Sequence, residues 1–200
     1  MSAPRNEVEG CRQAHIKLRT ATAGLTDEQV ASPSMLPDWT VGHVLTHVAR
    51  NADGMSRRIS AALRDEIIEQ YVGGLDGRAS EIEAGAARTA REIVADVSST
   101  AERLDSLFST MPEDVWEKPV QTVSGGGHAV SMLPFRRWRE VEIHLVDLGL
   151  GSTPADWPAG LVDAALPRLT ATLADRCDQR ALMAWTLGRG PAPELRPWGG

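Results

Sequence analysis

Two pairs of side chains spaced four residues apart, His43 with His47 and Glu140 with His144, could do chemistry in this chain. On a helix, residues i and i+4 share one face about one turn apart, so each segment presents two donors side by side. Imidazole nitrogen and carboxylate oxygen suit a divalent ion such as zinc. Three protein ligands with a vacant fourth position describe a catalytic rather than a structural site. Both pairs sit on strongly apolar stripes, His47 among Val44, Leu45 and Val48, and His144 among Val141 and Leu148. A carboxylate on such a face needs a cation or a hydrogen-bond network, because burying it without a partner is costly. The spacing leaves His43, His47, Glu140 and His144 all as candidate ligands. Glu142 falls on a different face from Glu140 and is expected to be solvated.

Helices must carry both pairs. Strand signals are scarce, and Ala, Leu, Arg and Glu dominate long segments with apolar residues three and four apart, so the reading is mainly α. A first helix is expected over about 6–24, with Val8, Cys11, His15, Leu18 and Ala21 on one face, then a short capped turn at Thr26-Asp27-Glu28. A second begins after Pro37-Asp38-Trp39-Thr40, where Asp38 or Thr40 can accept from the first free amides, and runs through His43 and His47. A long third helix is expected over 80–111, ended by Pro112. Val120-Gln121-Thr122 and His128-Ala129-Val130 flank the glycine turn of 124–127 as a hairpin or wide loop. The fourth helix follows Pro134 and stops at Gly149 and Gly151. These four make an antiparallel bundle over 1–152. A short C-terminal appendage over 153–200 carries helical segments at about 159–177 and 180–187 and a Pro-rich end at 191–200.

Two hundred residues with 42% hydrophobic content suit one ordinary domain with a small appendage. The net charge of -6 argues against a nucleic-acid partner, since neutralising phosphates takes an excess of Lys and Arg. Cys11 and Cys177 lack CxxC spacing, which indicates neither a disulfide framework nor a thiolate zinc site, and a reducing cytoplasm is the expected home. The first ten residues lack an apolar signal core, and no run approaches the roughly 18 apolar residues of a membrane helix, so no membrane partner is expected.

Around the ligand pairs, Arg136, Arg137 and Arg139 precede Glu140 and Arg50 follows His47, so arginines could clamp a carboxylate-bearing substrate near the metal. The competing reading is a solvated basic face. His128, after the glycine turn, could serve as an acid or base, or simply be polar surface. Trp39 is read as packing at the helix entrance and Trp138 as packing in the bundle.

The string Leu36-Pro37-Asp38-Trp39-Thr40-Val41-Gly42-His43-Val44-Leu45-Thr46-His47-Val48-Ala49-Arg50-Asn51-Ala52 resembles the signature of mycothiol-dependent maleylpyruvate isomerases, members of the DinB-like superfamily. Arg139-Glu140-Val141-Glu142-Ile143-His144-Leu145-Val146-Asp147-Leu148-Gly149 resembles a second segment of the same family. The resemblance covers about the first 150 residues in order, with a weaker similarity at Leu187-Gly188-Arg189-Gly190. It implies a DinB-like four-helix bundle whose divalent metal, usually taken as zinc, is held by His47, Glu140 and His144, leaving His43 either to support the ligands from behind or to pack. It also implies mycothiol as thiol cofactor or co-substrate, and a functional Arg189 near the C-terminus. The region after residue 152 departs from the family in being considerably shorter than the small α/β domain of the characterised isomerases.

The implied chemistry is activation of the thiol as thiolate for attack on an electrophilic small molecule. That attack ends either in cis-trans isomerisation, as in maleylpyruvate isomerase, or in S-transfer. Two other classes remain as alternatives: a metal-dependent hydrolase on the same bundle, and a non-catalytic module that dimerises or binds through its apolar faces. The chain is expected to be a monomer or a homodimer.

Overall fold

The computed structural model describes residues 3–123 and 125–196; Ser124 of the glycine turn and the last four residues of the Pro-rich end lie outside the described residues. The first compact unit, Met1–Asp156, holds helices α1 (Arg5–Thr22), α2 (Asp27–Ala31), α3 (Val41–Ala62), α4 (Gly74–Ala86), α5 (Ala90–Thr110) and α6 (Leu133–Asp147). A hairpin of β1 (Pro119–Gln121) and β2 (Gly127–Ala129) precedes α6. The second unit, Trp157–Gly200, holds α7 (Ala159–Ala171) and α8 (Gln179–Thr186). Among the described residues no helix is long and apolar enough to cross a membrane.

Helix α3 starts at a capping box. The Thr40 hydroxyl accepts from the His43 amide at 3.3 Å, and His43 Nδ1 accepts from the Thr40 amide at 3.2 Å. Thr40 is thus the cap, while Asp38 makes the left-handed turn before it, with φ of 63°.

The single helix expected over 80–111 is two helices. The Thr89 hydroxyl accepts from the Glu92 amide at 3.3 Å, and the Glu92 carboxylate accepts from the Thr89 amide at 3.0 Å. Asp27 takes up the Ala90 amide at 2.7 Å. These contacts satisfy the free amides of a new N-terminus, so the chain turns between Ala86 and Ala90. The apolar repeat runs on across the break because α4 and α5 both pack against α3.

Helices α1, α3, α5 and α6 close a four-helix ring in which α3 and α1 each pack on both α5 and α6. Cys11, Ala14, Leu18, Val44, Leu45, Val48, Ile59, Ile93, Val97, Leu104, Val141 and Leu145 fill its core. Fully burying each large side chain there stabilises by about 1.5–3 kcal/mol.

Cross-helix pairs set the directions. Arg50 meets Asp96 and Asp53 meets Arg103, so α3 and α5 run parallel; His15 meets Arg137 and Lys17 meets Glu142, so α1 and α6 run parallel as well. The fully antiparallel bundle expected from sequence is therefore corrected. Helix α4 is the reason, since it carries the chain back to the starting end of α3 before α5 begins. Glu142 is also corrected: it is 2% exposed and accepts from Lys17 Nζ at 2.7 Å, because α1 covers the face of α6 on which it lies.

A buried histidine gives the unit an acid-sensitive point. His15 is inaccessible, and burial pushes its pKa below the ordinary 6.5 despite the pull of Asp105. A base depressed in the folded state binds its proton more readily unfolded, so its stabilising contribution is present above pH 6.5 and lost as the pH falls below it. We expect chemical denaturation of the wild type to show this loss as the pH falls below 6.5, and His15→Gln to show a flatter profile over the same range.

In the second unit, α8 is capped by Asp178, whose carboxylate accepts from the Ala181 amide at 2.8 Å. The helical segment expected over 159–177 stops at Ala171 and continues as a short turn, Leu173–Asp175.

Candidate metal centre

Two helices of the ring carry the donors. His47 lies in the first half of α3, and Glu140 and His144 share one face of α6. Because α3 and α6 run antiparallel, His47 lies level with His144, and Asn51, one turn on, lies level with Glu140. His47 Nε2 is 2.9 Å from Glu140 Oε1 and 3.1 Å from His144 Nε2, and His144 Nε2 is 3.6 Å from the same Oε1. The two imidazole rings stand nearly perpendicular, their centroids 4.7 Å apart.

These separations bracket the roughly 3.3 Å edge of a tetrahedron built on about 2.05 Å zinc–ligand bonds. Two imidazole nitrogens and one carboxylate oxygen, all metal-ligating atom types, converge on one point. A divalent cation satisfies all three, so the residues present fit a metal.

The neighbours of the three donors favour the same arrangement. His144 Nδ1 donates to Asp147 Oδ2 at 2.8 Å, which orients the ring with Nε2 toward Glu140. Burial works to lower the pKa of His144, but Asp147 and Glu140 outweigh it and raise the value to about 9. Burial likewise works against the charge of Glu140, yet the two imidazoles hold its carboxyl well below the usual range, so it is anionic. His47 shifts down, since burial exceeds the pull of Glu140.

Arg78 of α4 donates to His47 Nδ1 at 3.1 Å. Guanidinium has no acceptor, so Nδ1 carries the lone pair and Nε2–H points to Glu140. If His47 held an ion through Nε2, its ring proton would sit on Nδ1, the atom Arg78 now donates to. Trp39 packs its edge on His47, ring centroids 5.7 Å apart, and stacks on His43.

Other candidates fall elsewhere. His43 is outside the cluster: its Nδ1 belongs to the α3 cap and its Nε2 faces Glu83 at 3.5 Å. Arg50 is held by both oxygens of Asp96 at 2.7 Å and by Asp53 at 3.0 Å. It lines a groove of about 550 Å³ with Asp53, Arg57, Gln70, Tyr71 and Arg103. The groove adjoins the cluster through Tyr71, since the Arg78 guanidinium lies over that ring.

Arg137 is neither clamp nor solvated face but fully buried, whereas Arg139 lies over the Phe135 ring. Arg136, one turn before Glu140, is half-buried and makes no hydrogen bond or ion pair among the described residues. His128 pairs with buried Val120 across the hairpin, so it shares the inward face. Its Nδ1 donates to the Ala129 carbonyl at 2.9 Å, which leaves the lone pair on Nε2, a buried atom with no hydrogen bond among the described residues. Burial lowers its pKa, and the charges of Arg136 and Arg58 lower it further. Arg189 lies in the second unit, exposed, donating to the Leu187 carbonyl at 2.7 Å.

A second cluster, Cys11, His15 and Asp105, has donors within 4.8 Å of one another. It is closed to a cation: Arg137 Nε occupies His15 Nε2 at 2.9 Å, and burial pushes the Cys11 thiol up.

Residues 11–149 match the mycothiol maleylpyruvate isomerase N-terminal domain. The chain belongs to that family. Among solved structures it is similar to the mycothiol-dependent maleylpyruvate isomerase, with 26% identity and a TM-score of 0.76 over 82% of this chain and 70% of that one. A histidine-to-alanine mutant of that isomerase matches with 25% identity over the same shares and with the same TM-score. YfiT from Bacillus subtilis, a probable metal-dependent hydrolase with an unusual four-helix bundle topology, shares the fold at 18% identity and a TM-score of 0.58, over 74% of this chain and 85% of that one. No curated protein matches the sequence. The fold is the DinB-like four-helix bundle. Asp147, Asn51, Arg58 and Arg78 are the neighbours of the site that the sequence reading passed over. Asp147 and Asn51 lie one turn from a candidate ligand on the same helices, and that spacing was the available signal, whereas Arg58 is three turns beyond His47 and Arg78 comes from another helix.

Proposed function

We propose that this chain is a metal- and mycothiol-dependent enzyme acting on an electrophilic small molecule that bears a carboxylate. The observation that supports it most is the convergence of His47 Nε2, Glu140 Oε1 and His144 Nε2 on one point, in a member of this family. Those three residues would hold the ion, and a bound divalent ion with an open position lowers the pKa of a thiol so that it is thiolate near neutral pH. Trp39 covers the His47 imidazole on one side.

His128 Nε2 is a neutral base with an unused lone pair, suited to take the thiol proton. Arg136 supplies a guanidinium not already held by a carboxylate, and its charge is felt by Glu140 and by His128. Arg58 adds a second cation behind it. It is 2% exposed and, among the described residues, donates to the Gly54 and Gln121 carbonyls, and burial lowers its pKa to about 10. Two cations beside one neutral histidine favour an anionic substrate group there.

We expect Arg136→Ala to raise KM for a carboxylate-bearing electrophile by about 10–100-fold, the worth of a charged hydrogen bond of about 1.5–3 kcal/mol, while mycothiol binding stays unchanged. Steady-state kinetics with thiol and electrophile varied separately measure this. The same assay separates the chemistries. Turnover that needs mycothiol without consuming it is isomerisation, turnover that consumes it is transfer, and equal turnover without thiol would favour a hydrolase.

A further inference from the structure

Glu140, as metal ligand, does not stand alone in the bundle. Asn51 Nδ2 donates to its Oε1 at 3.2 Å, and Asn51 Oδ1 accepts from an Arg137 terminal nitrogen at 3.0 Å. That nitrogen also donates to the Val48 carbonyl at 2.8 Å. Arg137 Nε donates to His15 Nε2 at 2.9 Å, and His15 Nδ1 donates to Asp105 Oδ1 at 2.7 Å. His15, Asn51, Asp105 and Arg137 come one each from α1, α3, α5 and α6, so the chain of contacts crosses the whole ring.

The polarity of this chain follows from Arg137 alone. Guanidinium is a donor only. At one end it therefore fixes His15 with its lone pair on Nε2 and its proton on Nδ1, facing Asp105. At the other end it fixes the Asn51 amide with oxygen toward Arg137 and nitrogen toward Glu140. An amide turned the other way would set its NH2 against the guanidinium and its oxygen against a carboxylate. Arg137 and His15 are inaccessible and Asn51 is 6% exposed, so water does not offer a substitute partner.

We infer that Arg137 and Asn51 are positioning residues for the metal centre, a buried relay anchored by His15 and Asp105 that holds Glu140 Oε1 aimed at His47 and His144. This rests on the metal reading above. Carboxylate ligands are characteristically held by such outer hydrogen bonds, and their loss costs about 10–100-fold in metal affinity. The relay makes metal affinity depend on His15 and Asp105, which touch none of the ligands.

The test uses the full chain, with zinc affinity read by competition against a chromophoric chelator, the d–d spectrum of bound cobalt, and folding followed by circular dichroism. Asn51→Leu is expected to weaken zinc by about 10–100-fold and to change the cobalt spectrum while remaining folded. His15→Phe keeps the ring but has no polar atoms, and it is expected to weaken zinc as well. His15→Gln restores a donor for Asp105 and an acceptor for Arg137, and it is expected to keep wild-type affinity and spectrum. Wild-type affinity and spectrum in folded Asn51→Leu, or equal losses in the two His15 variants, would overturn the relay. Should Asn51→Leu fail to fold, the His15 pair decides. A wild type that takes up neither ion would overturn the metal reading and the relay with it.

Discussion

Glu140→Ala is expected to abolish tight binding of divalent metal, with a loss larger than the roughly 10–100-fold that removing an outer partner of a ligand costs. Glu140 supplies the single negative charge of the cluster, and its Oε1 lies 2.9 Å and 3.6 Å from the two imidazole nitrogens. Without it two neutral nitrogens remain, and Asn51 Nδ2 loses its acceptor. A ligand present at 1,000 times its Kd stabilises the folded state by about 4 kcal/mol, so zinc should raise the unfolding temperature of the wild type and leave that of Glu140→Ala unmoved. His43→Ala is the matched control. Its imidazole belongs to the α3 cap, so zinc should still protect this variant even though its own stability falls.

Arg137→Met is expected to be the most destabilising single change outside the cluster, by about 3–5 kcal/mol, or roughly 10 °C in melting temperature for a chain of this size. Methionine fills much of the volume but leaves His15 Nε2, the Val48 carbonyl and Asn51 Oδ1 without their donor in a dry core. It also removes the positive charge that offsets Asp105 and Glu140. Thermal unfolding of the metal-free protein isolates this effect from any change in metal affinity. A loss under about 1 kcal/mol, the scale of a surface substitution, would show that the buried guanidinium contributes little.

The contrast between neighbouring arginines shows what sequence can and cannot convey. Arg136, Arg137 and Arg139 look alike as a basic cluster, yet each step along a helix rotates the side chain by about 100°, since there are 3.6 residues per turn. Arg137 is turned into the ring, Arg136 stays half-buried, and Arg139 lies over Phe135. Glu142 was misjudged for the same reason, because the face it occupies is solvated only if no helix covers it, and α1 does.

The convergence of Glu140 and His144 was legible because an i, i+4 pair on an apolar stripe carries its meaning locally, whereas the same spacing left His43 and His47 both open and only the family resemblance favoured His47. Asp147 and Asn51 stood at similarly short spacings but mean nothing until α3 and α6 are set side by side. Arg78 reaches His47 from α4 and has no periodicity to announce it. The helices themselves followed from apolar repeats, whereas the break before α5 depended on one capping box and the parallel pairs on where α4 returns the chain.

The most direct test of the central claim is to load the metal-free protein with cobalt and titrate it with mycothiol, following absorption in the near ultraviolet. One cobalt ion per chain and a thiolate-to-cobalt charge-transfer band that grows with the thiol, both absent in Glu140→Ala, are the results expected. A wild-type protein that takes up no cobalt, or that binds it and shows no change on adding mycothiol, would contradict the account.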